Sequence, residues 1–187
     1  MFILKICNNH SYKNILNAAK INPEIAVMHS YYAYRYARDV LKGPFPEGES
    51  IIVTDAFHSY DYAKNVLQGA FPLGEELISK KTVISFEYAV HVKHEPFPLG
   101  EPAIAESPYN SYYYALNVLK GPFPLGENVL SKSAGYACRY AKNVLKGPFP
   151  LGEKAIAKNS SFSYEYTQRI LKRDFYLDGN LICKYEE

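Results

Sequence analysis

Apolar and polar positions along this chain recur with a period of 26 residues. A tyrosine begins each pattern; an aliphatic residue, a phenylalanine, a Gly-Glu pair and a closing aliphatic residue follow at constant offsets. A repeat of this length indicates stacked structural units that share one continuous core. The repeating tyrosines are Tyr36, Tyr62, Tyr88, Tyr114, Tyr140 and Tyr166, the phenylalanines Phe45, Phe71, Phe97, Phe123, Phe149 and Phe175, and the glutamates Glu49, Glu75, Glu101, Glu127 and Glu153.

The first half of each unit predicts an amphipathic helix of about three turns. In the unit 109–134, Tyr112, Ala115 and Leu119 recur at helical spacing. Gly121 follows the last lysine of this pattern, where a helix commonly ends in a left-handed residue. We therefore expect the long helix to end with Gly121 in the left-handed conformation.

The second half of each unit predicts a shorter helix. Pro124 suits a first helical position, and Glu127 would then meet the positive end of the helix dipole in the first turn. Val129 and Leu130 would point inward. One unit is thus predicted to be a long helix, a Gly-Pro-Phe-Pro turn and a short α or 3-10 helix.

These units predict an all-α fold, an α-solenoid of about seven repeats in a single domain spanning 1–187. Five regular repeats occupy 30–160. A degenerate copy without the Phe-Pro turn occupies 1–29 and is interpreted as an N-terminal cap. The segment 161–187, where Asp-Gly at 178–179 replaces Gly-Glu, is interpreted as the C-terminal cap.

Composition narrows the class of protein. The charges of the 21 basic and 19 acidic residues nearly cancel, so the net charge does not favour binding to nucleic acid or to an anionic membrane. Cys7, Cys138 and Cys183 are odd in number and form no C-x-x-C pair, so free thiols in a reducing compartment are expected. The apolar run Met1–Leu4 is far too short for a signal peptide or a spanning helix. A cytoplasmic protein that does not engage membranes is predicted.

The repeated polar rows have structural and functional interpretations. Exposed tyrosines could stack on bases, but tyrosine beside alanine at helical spacing is more typical of a core whose hydroxyls bond at its edge. The glutamates could be catalytic, yet identical environments cannot separate two pKa values, and the helix dipole explains every copy. Two lysine rows could follow a phosphate backbone or interact with helix C-termini. These rows are Lys42, Lys120, Lys146 and Lys172, and Lys80, Lys132, Lys158 and Lys184.

Dedicated chemical motifs are missing from the sequence. His91 and His94 lie three residues apart, but no third ligand stands at metal-binding spacing beside them. Neither a Gly-rich phosphate loop nor a G-x-S-x-G sequence occurs. We predict a non-enzymatic protein without metal or cofactor.

The most regular stretch carries a family resemblance. Residues 140–158 read Tyr-Ala-x-Asn-Val-Leu-Lys-Gly-Pro-Phe-Pro-Leu-Gly-Glu-x-x-Ile-Ala-Lys. This string resembles repeats in proteins of tailed phages and large DNA viruses, and the resemblance covers 30–187 well and 11–29 weakly. The two-helix unit is similar in architecture to leucine-rich variant repeats. The resemblance implies a viral source and a host-cell location, and it implies no activity or site residue.

Variable columns of the long helix are the predicted partner surface, since constant positions hold a repeat stack together. Charged at both ends of the chain, these columns become apolar in the middle, at Val90, Tyr113 and Leu116. An apolar patch with a basic rim is typical of a protein interface. The rim residues are Arg38, Lys64 and Lys142.

Opposite charges in one column, at Arg35 and Asp61 and at Arg139 and Glu165, suggest ion pairs between neighbouring repeats. The predicted function is a binding module for a protein partner, either a host protein, such as a defence component, or a second copy of the chain. RNA binding along the lysine rows and a structural role in a particle remain alternatives.

Overall fold

A computed structural model describes residues 12–186 of the chain. The predictions that concern Cys7 and Met1–Leu4, and part of the predicted N-terminal cap, lie outside the described residues. The chain divides after Lys93 into two compact units, the first unit and the second unit, and each contains several of the 26-residue repeats. Among the described residues, no helix combines the length and the hydropathy needed to cross a bilayer.

The first unit contains six α-helices within its described part. Its bounds are α1 Tyr12–Ile21, a 3-10 helix Pro23–Met28, α2 Ser30–Tyr36 continued by a π-helical turn Ala37–Leu41, α3 Pro46–Ile52, α4 Ala56–Tyr62 continued by Ala63–Leu67, α5 Pro72–Ile78, and α6 Thr82–Tyr88 continued by Ala89–Lys93. Long and short helices alternate. The long helix α2 packs on the short helix α3 and on the next long helix, α4, and α4 packs likewise on α5 and α6.

The second unit repeats this alternation. Its bounds are a 3-10 turn Pro98–Gly100 leading into α7 Glu101–Ile104, α8 Pro108–Tyr114 continued by a π-helical turn Ala115–Leu119, α9 Pro124–Leu130, α10 Ala134–Tyr140 continued by Ala141–Leu145, α11 Pro150–Ile156, α12 Ser160–Tyr166 continued by Thr167–Leu171, and strands β1 Phe175–Leu177 and β2 Asn180–Cys183. The predicted all-α repeat fold class is confirmed in both units.

The end of each long helix differs from the prediction. The last turn is π-helical, and the Ala115 carbonyl accepts the N–H groups of both Lys120 and Gly121. The left-handed residue is Lys120, with φ 53°, and Gly121 does not have a positive φ. The prediction for Gly121 was therefore wrong by one position. Equivalent left-handed residues are Lys42, Gln68, His94, Lys146 and Lys172.

The short helices begin as predicted. Phe123 is the N-cap of α9, Pro124 occupies the first turn and Glu127 lies in that turn. Gly126 has a packing role within this helix, since a Cβ built on it would lie 2.6 Å from the Phe123 ring and 2.7 Å from the Ser111 Cβ. The glycine of the Gly-Glu pair thus lets α9 approach α8 closely.

The buried rows form the core of each unit. The Tyr114 and Phe123 rings meet edge to face with centroids 5.1 Å apart, and Leu130 is fully buried. A buried serine ties the next repeat to the end of a short helix, because Ser111 Oγ donates to the Ile104 carbonyl at 3.3 Å. The same carbonyl also accepts the Ser107 N–H at 3.3 Å, so two bonds hold the carbonyl at the end of the helix.

The last repeat departs from the two-helix pattern that the sequence predicted. A β-hairpin stands in place of its short helix, with β1 and β2 antiparallel. Asp178 and Gly179 form the two-residue turn with φ 50° and 81°. Positive φ at both turn residues is the hairpin geometry that Asp-Gly favours. Tyr176 also replaces the proline that starts the other short helices.

Candidate interaction surface

The tyrosine and glutamate rows meet in a hydrogen-bonded cluster, here called the tyrosine clamp, at five repeat junctions. In the second unit, the Phe123 N–H donates to Tyr140 Oη at 2.8 Å, and Tyr140 Oη donates to Glu127 Oε1 at 3.0 Å. The tyrosine therefore reaches back from α10 to the start of α9. The same bonds recur for Tyr62, Tyr88, Tyr114 and Tyr166.

The clamp confirms that the tyrosine row belongs to the core. Tyr62 and Tyr140 are fully buried and Tyr36 is 5% exposed, so these ring faces are not open to nucleic acid bases. The glutamates do more than meet the helix dipole, because each carboxylate accepts a hydroxyl from the next repeat. The dipole interpretation had omitted this bond.

The clamps predict a loss of stability at alkaline pH. Burial, together with the bond to Glu127, raises the pKa of Tyr140 from 10.0 to about 12, and the pKa of Tyr62 rises likewise to about 12. Above pH 10 the unfolded chain loses these protons while the folded chain keeps them. Stability is then present in full below pH 10 and falls as pH rises towards 12. Urea midpoints measured across this range should decline, and less steeply in Tyr140→Phe; equal slopes would contradict the assignment.

One cluster in the first unit has the residue types of a hydrolase triad but not its geometry. Ser30 Oγ lies 2.9 Å from His58 Nδ1, and Asp55 Oδ1 lies 3.2 Å from the same nitrogen. A triad places the serine and the carboxylate on opposite ring nitrogens. Asp55 instead accepts the His58 backbone N–H at 2.9 Å and caps α4. This arrangement anchors a helix start.

Two cysteines, Cys138 and Cys183, lie among the described residues. Cys138 and Cys183 are free, as predicted, and burial raises the pKa of the Cys138 thiol to about 11. A thiol held protonated in this way is a poor nucleophile. Within residues 12–186, no group of three His, Cys, Asp or Glu side chains could hold a metal ion.

The predicted apolar patch lies on the long helices. Val90 is half-buried in the π-helical turn of the first unit. In the second unit Tyr113 and Leu116 are also half-buried, and the Tyr113 ring contacts those of Tyr109 and Tyr112 at 4.7 and 4.9 Å. Tyr109 is 50% exposed, so an aromatic cluster does reach the surface here. Its role in binding stays a prediction.

The predicted basic rim is engaged in bonds within the chain. Arg38 donates to the Tyr34 hydroxyl at 2.9 Å and pairs with Asp39 at 2.7 Å. Lys64 donates to the Tyr60 hydroxyl at 2.8 Å. These contacts give both cations a structural role on the long helices.

Charge pairs on the long helices form both between repeats and within a repeat. Lys142 pairs with Glu165 at 2.7 Å, and Arg35 pairs with Asp39 at 2.7 Å. Arg139 lies over the Tyr136 ring at 5.8 Å. The predicted pairing of Arg139 with Glu165 was wrong, because the Glu165 carboxylate is bonded by Lys142 instead.

An exposed leucine row on the short helices is a surface that the sequence interpretation missed. Leu99, Leu125 and Leu151 of the second unit are 53%, 57% and 63% exposed, and Leu73 of the first unit is 66% exposed. Each follows the proline that starts a short helix, between a buried phenylalanine and a buried glycine. Leu99, Leu125 and Leu151, the three of these leucines that lie in the second unit, are called the leucine row below.

The leucine row borders a groove in the second unit. Ser131 and Lys132 from the end of α9 form one wall, and Leu151, Lys154 and Lys158 from α11 and its end form the other. The groove has a volume of about 480 Å³. Lys154, Ala155 and Lys158 follow Leu151 by three, four and seven positions. Residues at this spacing share one side of a helix, so they lie beside the leucine.

Comparison with known proteins yields no match to a family model, a curated protein or a solved structure.

Proposed function

We propose that this protein is a non-enzymatic binding module that presents repeated short helices to a protein partner. The leucine row carries the proposal. Apolar positions that recur through a repeat fold are normally core residues, yet Leu125 and Leu151 leave more than half of their surface in water. Full burial of a leucine side chain contributes about 1.5–3 kcal/mol, so a partner that covers this row would gain binding free energy.

The neighbouring side chains support a binding role for the row. Phe149 and Gly152 on either side of Leu151 are buried and account for the repeat packing. Leu151 itself lies outside that core. Its repetition on successive short helices offers anchors at intervals set by helix packing, about 8–10 Å apart. Such spacing suits an extended or helical segment of another protein.

The RNA-binding alternative gains less support. Lys120 and Lys146 are exposed and could approach phosphates. Base stacking needs exposed aromatic faces at regular spacing. The regular aromatics, such as Tyr114 and Phe123, are buried.

The proposal includes a cytoplasmic location, which the free Cys138 and Cys183 support. The viral resemblance of the repeats further favours a host protein, such as a defence component, as the partner. This part of the proposal rests on the resemblance alone.

The proposal is tested by affinity purification from extracts of the native host, with and without nuclease. Wild-type protein should retain a partner after nuclease treatment. Leu125→Glu together with Leu151→Glu should lose that partner, because charges would replace the apolar anchors. A second bait, Val90→Glu with Leu116→Glu, examines the patch on the long helices.

Circular dichroism should show unchanged helicity for both double variants, since all four positions are at least partly exposed. Recovery of a partner by the leucine-row variant at the wild-type level would overturn the role of that row. Material recovered only in the absence of nuclease would support RNA binding instead.

A further inference from the structure

The second unit concentrates positive charge in two adjacent repeats. Residues 120–160 contain seven Lys or Arg and two Glu, although the whole chain is nearly balanced. The two carboxylates, Glu127 and Glu153, accept the hydroxyls of Tyr140 and Tyr166. Both carboxylates of this stretch are therefore already hydrogen-bonded within the tyrosine clamps.

Three of these lysines line the groove described above. Lys132, Lys154 and Lys158 are exposed, and none pairs with a carboxylate among the described residues. Like charges gathered in one groove repel each other and favour an anionic occupant. Leu151 and Ala155 add an apolar surface between them.

We propose that this groove binds an acidic peptide segment of a partner protein, with an apolar side chain seated on Leu151 and carboxylates facing Lys132, Lys154 and Lys158. The inference rests on the proposed function and names the chemistry of the partner. Charge complementarity would steer the encounter, and the leucine contact would hold the segment.

The composition of the groove favours a peptide over a phosphate backbone. The side chains between the lysines are Leu151, Ala155 and Ser131. An aliphatic side chain offers a contact for another apolar side chain but no stacking face for a base. An acidic segment with one apolar anchor matches both components of the groove.

The corresponding face of the first unit lacks this charge. There Leu73 lies on α5 beside Glu76, whose carboxylate pairs with Lys80 at 2.8 Å. Lys80 is therefore neutralised by a carboxylate of the helix that precedes it. This face therefore provides a matched control with the same leucine.

The test is fluorescence polarisation with the full chain and a labelled peptide of glutamates around a central leucine. Lys154→Glu with Lys158→Glu should weaken binding by about tenfold or more and reduce its dependence on salt. Leu151→Ser should weaken binding by about tenfold. Leu73→Ser with Lys80→Glu, the matched control, should leave binding unchanged.

Two further probes identify the ligand chemistry, a peptide with serine in place of the leucine and a single-stranded oligouridylate. Weaker binding of both supports the proposal. Equal binding by the groove variants, tighter binding of the oligouridylate, or no peptide binding to the wild type would overturn it. If the peptide test fails but the affinity purification still recovers a partner after nuclease treatment, the groove proposal is wrong and the proposed function is retained.

Discussion

Replacing Tyr140 by Phe should lower the free energy of unfolding by about 1–3 kcal/mol, although the ring and its packing remain. The hydroxyl accepts the N–H of Phe123 and donates to Glu127. Phenylalanine would leave that N–H without its acceptor in a place where water has little access. A buried donor without a partner costs more than the net gain of an ordinary hydrogen bond.

Urea denaturation followed by circular dichroism measures this loss. Tyr140→Ala should cost more, about 3–5 kcal/mol, because it also removes a fully buried ring. Tyr176→Phe is the control, since Tyr176 is 55% exposed in the hairpin. An unchanged midpoint for Tyr140→Phe would mean that the clamp hydrogen bonds contribute little.

Gly126→Ala should destabilise the protein by about 1–3 kcal/mol, against the rule that alanine stabilises helix interiors. The new methyl group would lie 2.6 Å from the Phe123 ring and 2.7 Å from the Ser111 Cβ. Relief of these contacts requires α9 to move away from α8, which would also strain the clamp on Glu127.

Gly121→Ala, five positions earlier in the same repeat, should have the opposite sign. A methyl group there would meet only the Leu119 carbonyl oxygen at 3.8 Å, and its φ is not positive. Stabilisation of up to about 1 kcal/mol is expected from the reduced entropy of the unfolded chain. Thermal melts of both variants provide the comparison; the same sign for both would contradict the assigned packing role of Gly126.

The local rules of helix initiation predicted much of the fold from sequence. Pro124 and Glu127 lie where proline geometry and the helix dipole place them. The burial of the tyrosine row followed from its spacing beside alanine. These features depend on residues close in sequence, and a repeat presents the same evidence several times.

The helix ends were mispredicted because a long helix can end in an ordinary α-helical turn or in a wider π-helical turn, and the two place the left-handed residue differently. Glycine is the usual left-handed residue, and Gly121 stands beside the position that needs it. The π-helical turn shifts that position to Lys120, at φ 53°. Sequence rules for α-helices contain no signal for a wider last turn.

The candidate surface was only partly predictable. The long-helix columns containing Tyr113 and Leu116 were found because their residues vary along the chain. The leucine row was missed because the position of Leu125 and Leu151 is leucine in most repeats, with Glu47 as an exception, and recurring apolar residues were assigned to the core. Their position after Pro124 and Pro150, at the outer start of a short helix, becomes informative only once the packing face is known.

The tyrosine clamp has a consequence for how such a chain can evolve. Each clamp joins one repeat to its immediate neighbour, and the bonding atoms are the same at successive junctions. Loss of the segment 109–134 from the gene would bring Tyr140 into the place of Tyr114, facing another Phe-Pro turn and another Gly-Glu pair. Recombination between copies can therefore lengthen or shorten the array while the new junction keeps its hydrogen bonds.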